Sequence, residues 1–111
     1  MKAILGSILV LLAVSANAAP YFSDGYELQK RLLRQDPAAL AYVVGVYDTI
    51  QITQYHASAT ERLVCAPPAV TGTELVDAVN GYLQADPGIS IYPAVLVVWR
   101  ALIWAFPCDK A

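Results

Sequence analysis

The sequence contains one histidine and two cysteines, and Asp, Glu, Lys and Arg together make up only 14% of it. His56 has no local nucleophile and orienting acid beside it, so it reads as an exposed loop histidine rather than part of a hydrolytic triad. There is no GxSxG, no P-loop and no paired-carboxylate motif. Cys65, Cys108 and His56 lack the CxxC or HxxxH spacing of a metal site. Seven basic residues against nine acidic ones form no basic stripe, which argues against a nucleic-acid partner. Sustained strand alternation between turn signals is also missing. These gaps point away from catalysis and from any cofactor, and leave protein binding as the favoured role.

What the sequence has in quantity is apolar side chains, at 58%. Met1 to Ala18 reads as an export signal: Lys2, a mostly apolar run from Ile4 to Val14, then the small-x-small pattern Ala16-Asn17-Ala18. No cysteine follows that run, so a lipid anchor of the lipoprotein kind is not indicated. Cleavage after Ala18 leaves residues 19–111, 93 of the 111, as a single domain with nine acidic and six basic residues. A domain of that size gains from a covalent staple or from oligomerisation. An even cysteine count in an oxidising compartment reads as one disulfide, Cys65–Cys108, worth about 4 kcal/mol in the chain-entropy model.

Four helices are predicted. The first covers Ser23 to Arg34, with Ser23 as cap, Leu28 and Leu32 as apolar stripe, and Lys30, Arg31 and Arg34 as a solvated basic end. Asp36-Pro37 caps and starts the second, which runs to about Tyr55 with Leu40, Val43, Val44, Tyr47 and Ile50 facing the core. Gly45 in mid-helix costs about 1 kcal/mol relative to Ala, so a close crossing with another helix is expected there. Thr71-Gly72-Thr73-Glu74 is a capping box for the third, with Val70 and Leu75 as a hydrophobic staple. The third ends near Gln84, before the turn Asp86-Pro87-Gly88. The last begins within Ser90 to Pro93 and stops at Pro107. It is apolar all round apart from Arg100, too short and interrupted to span a membrane, and so is expected to be buried centrally. The fold class is all-α: a small, four-helix, bundle-like domain with one disulfide. Trp99, Trp104, Tyr82 and Tyr92 exceed what such a domain can cover, which predicts a homodimer.

The segments YVVGVYDTI at 42–50, CAPPAVTGTELVDAVNGYL at 65–83, the Asp86-Pro87 turn and ALIWAFPC at 101–108 together resemble the Rap/Tai family. The resemblance covers the chain from the second helix to the last cysteine. It implies a small, helical, periplasmic immunity protein that dimerises and blocks a peptidoglycan amidase delivered by a type VI secretion system. No further cysteine pair occurs in the region of the first two helices. Blocking a concave catalytic cleft calls for a protruding, anchored segment, and two connections qualify. Tyr55 to Arg62, held on one side by Cys65 and two prolines, carries Tyr55, His56, Glu61 and Arg62. Asp86 to Tyr92 is shorter, with Asp86 and Tyr92 as its contact side chains. The competing reading is a general periplasmic binding protein of the acid-stress chaperone kind, which acid-triggered monomerisation and broad client binding would favour.

Overall fold

A computed structural model describes residues 22–109; the expected export signal, residues 1–18, lies outside the described residues. The helices are α1 (Gly25–Leu33), α2 (Pro37–Thr53), α3 (Gly72–Ala85) and α4 (Ala94–Ala105), with a short 3-10 helix, Pro87–Ile91, before α4. Among the described residues there is no strand, only an isolated antiparallel bridge between Val64 and Pro107. The domain is therefore all-α with four helices, and Cys65 is bonded to Cys108.

Local chemistry sets most helix ends. Asp24, not Ser23, caps α1: its carboxylate accepts from the Glu27 N–H at 2.9 Å. Glu27 reaches back to take the Ser23 N–H at 3.1 Å and its hydroxyl at 2.8 Å. A carboxylate at the positive end of a helix dipole is the stronger acceptor, which moves the cap one residue on. At the other end, the Gln35 N–H donates to the Leu32 carbonyl and the Asp36 N–H to the Arg31 carbonyl, a Schellman closure with Gln35 at a φ of 58°. Asp36 caps α2 as expected, accepting from the Ala38 N–H at 2.9 Å. Its other oxygen takes Arg31 Nε at 2.7 Å, so one carboxylate joins two helices and Arg31 is structural rather than a solvated end. Thr71 caps α3 through the Glu74 N–H at 3.2 Å, while Glu74 meets the Thr71 hydroxyl at 3.1 Å.

Packing departs further from the sequence pattern. α2 buries Ala39, Val43 and Ile50, while Leu40 is exposed and Val44 and Tyr47 are half-buried. Its apolar residues run almost all round, so their spacing does not single out the core face, and small Ala39 takes the tight position. α4 touches the other three helices through Ala94, Val97, Val98, Ala101 and Leu102. It is not enclosed, however: Val95 is 53% exposed, Trp99 40% and Trp104 52%. Gly25 lets α1 approach α4, since a Cβ there would lie 2.8 Å from Val97 Cγ2. Beyond α4, the Cys65 N–H donates to the Phe106 carbonyl at 2.8 Å beside the disulfide.

Candidate functional site

Gly45 faces open space: beyond its chain neighbours and the backbone of its own helix, no atom of the described residues lies within 4 Å of where its Cβ would be. The close helix crossing expected there does not occur, because the neighbouring helix stands off and leaves a groove. The groove encloses about 740 Å³. One wall is α2, through Tyr42, Gly45, Val46 and Thr49; the other is α4, through Val95, Leu96 and Trp99. The end is formed by Ala57, Glu61 and Leu63 of the connection after α2.

Its polar groups are nearly all occupied. Thr49 donates to the Gly45 carbonyl at 2.9 Å, and Thr53 donates to the Thr49 carbonyl. Burial raises the pKa of the Tyr42 phenol, and its ring meets Phe22 edge-on at 4.9 Å. Among the described residues, Glu61 is the single charged one in the lining. Its carboxylate accepts from the Ser58 hydroxyl at 2.7 Å, and no cation among the described residues pairs with it.

The connection 54–63 is closed on itself by a side chain. Gln54 Nε2 donates to the Val64 carbonyl at 2.7 Å, and Gln54 Oε1 accepts from the N–H groups of Leu63 at 3.2 Å and Val64 at 3.3 Å. Backbone turns from Ala57 to Gln54 and from Glu61 to Ser58 fill the interior. The segment is thus held at both ends, not only from the Cys65 side. On it, Tyr55 is 71% exposed and stacks edge-on with His56 at 4.9 Å. Arg62 and Tyr55 line a smaller recess of about 420 Å³ with Gln51 and Cys65. Glu61 belongs to the large groove.

Asp86 and Tyr92 are placed elsewhere. Asp86 precedes the 3-10 helix, its carbonyl accepting from the Ile89 N–H, and the Tyr92 carbonyl accepts from the Gly25 N–H at 3.0 Å. Neither lines the groove or the recess. The Tyr92 backbone ties the start of α1 to the segment before α4, whereas the Asp86 N–H donates to the Tyr82 carbonyl and closes α3.

No group of three or more potential metal-ligating side chains occurs among the described residues, and no described helix is long and apolar enough to cross a membrane. What the site offers is shape, an ordered loop beside an apolar groove. A family model of Rap1a immunity proteins matches residues 25–108. The chain belongs to that family. No curated protein and no solved structure matches it. As an immunity protein it acts by binding an effector protein.

Sequence reasoning singled out four residues of this immunity protein's loop and named Trp99 only as an uncovered aromatic for self-association; it missed Gln54 and Val95. Gly45 gave a signal, a glycine in mid-helix, although its cause is empty space rather than a crossing. Gln54 gave none, because its partners are nine and ten residues away.

Proposed function

We propose that this immunity protein acts in the periplasm, after loss of residues 1–18, against a peptidoglycan amidase delivered by a type VI secretion system, and that loop 54–63 closes the amidase's catalytic cleft. The observation that carries this is the Gln54 clamp, which fixes the loop while leaving Tyr55, His56 and Arg62 exposed. A segment ordered before binding loses little entropy on entering a cleft. An aromatic pair beside an arginine supplies the anchor types that dominate protein interfaces. Trp104, half exposed and 5.7 Å from the Tyr82 ring, supports self-association as a homodimer through the α3–α4 side.

The test uses the exported protein and a peptidoglycan amidase effector, which an amidase-like reading frame adjacent to the gene would supply. Stoichiometric addition should stop the release of peptide fragments from purified peptidoglycan; hydrolysis that continues at excess immunity protein would remove the amidase reading. Light scattering at high micromolar concentration should give twice the chain mass, and a monomer there would exclude the dimer.

A further inference from the structure

We infer that the groove between α2 and α4 is a second contact for the same partner protein, taking an apolar segment of it that carries a Lys or Arg beside its apolar side chains. This rests on the immunity reading, because Gln54, Ala57, Glu61 and Leu63 belong both to the loop region and to the groove's end. A partner engaged by the loop lies across the mouth of the groove.

The groove's composition defines what fits. Gly45 lowers the stability of α2 relative to alanine. Nothing among the described residues uses the missing Cβ, since the space above it is open. A glycine in that setting suits the close approach of a foreign backbone or a bulky side chain. Thr49 and Thr53 turn their hydroxyls onto their own helix, so the α2 wall presents few free polar groups. Trp99, at 40% exposure, supplies a large aromatic wall opposite. The one charge is Glu61, negative and without a cation among the described residues, with Ser58 holding its carboxylate. An incoming Lys or Arg completes that carboxylate, whereas an acidic segment is repelled.

The exported wild-type protein and its Gly45→Leu and Glu61→Lys variants are titrated with two stapled helical peptides. One has a Leu–Phe face and a single Lys; the other has Glu in place of that Lys. Wild type should prefer the Lys peptide by about tenfold or more, a preference that shrinks with salt. Gly45→Leu should lose both peptides without a fall in melting temperature, and Glu61→Lys should reverse the preference. If Gly45→Leu folds poorly, Trp99→Ala, which removes the opposite wall, carries the same expectation. Equal affinity of wild type for both peptides, or unimpaired binding by the groove variants, overturns the inference. So does conversion of a dimer to a monomer by Gly45→Leu in light scattering, which would assign the groove to a second copy. Against the amidase, a Gly45→Leu protein that inhibits at full strength sinks the groove alone, whereas failure of wild type to inhibit sinks the proposed function.

Discussion

The side-chain amide of Gln54 holds Val64 by both of its backbone polar groups, donating to its carbonyl at 2.7 Å and accepting from its N–H at 3.3 Å. This is the pairing a neighbouring strand would supply, made instead by one side chain at the end of α2. It turns the connection after α2 into a closed loop standing next to the groove.

Replacing Gln54 by Ala removes four side-chain hydrogen bonds, three to the backbone of Leu63 and Val64 and one to Gln51, an expected loss of about 1–2 kcal/mol. The distinctive effect is local. Hydrogen exchange at the Leu63 and Val64 amides should accelerate far more than exchange in α3, and the loop's affinity for its partner should fall. Uniform acceleration across the domain would mean that Gln54 supports the fold rather than the loop.

Changing Tyr55, His56 and Arg62 together to Ala should leave the fold and the disulfide intact, because all three side chains are exposed. Binding to the effector should weaken by about 2 kcal/mol or more, the range of interface anchors. Full protection of cells by the triple variant would move the contact, most directly to Asp86–Tyr92.

Glu27 and Asp36 are both held below the ordinary carboxylate range. For Glu27 the main cause is the Ser23 N–H, then the Ser23 hydroxyl; for Asp36 it is the Ala38 N–H, then Arg31. A carboxyl with a depressed folded pKa contributes stability that is complete above its unfolded pKa and is lost as pH falls through the folded value. The junction of α1 and α2 should therefore hold at neutral pH and weaken below roughly pH 4. Urea midpoints measured against pH should show that decline, and Asp36→Asn should flatten it. Broad client binding appearing over the same pH range would favour the acid-stress reading instead.

The Cys65–Cys108 bond closes a separation of 43 residues and lies just after the loop. Replacing both cysteines by Ser should reduce stability by about 2–4 kcal/mol. Thiol trapping of exported protein should find no free thiol; two free thiols would remove the bridge from the native state.

The sequence by itself determined most helix starts and stops, although α4 begins at Ala94, just past the expected Ser90 to Pro93, because a 3-10 helix takes Pro87–Ile91. Asp36-Pro37, Thr71 with Glu74, and Pro107 act through hydrogen bonds, or missing N–H groups, within one turn of their own position, so a local reading reaches them. Even the Ser23 expectation missed the cap by a single residue. Two cysteines similarly left only one intramolecular pairing. The tertiary structure alone decided which sides of α2 and α4 face inward. Both helices are apolar almost all round, so spacing carries too little contrast to choose a face, and fit against Ala39, Ala94 and Ala101 makes the choice. It also decided that Gly45 opens a groove and that Gln54 closes a loop. Both depend on what another part of the chain does: α4 standing off from Gly45, and Val64 returning beside α2 because Cys65 is fixed to the end of α4.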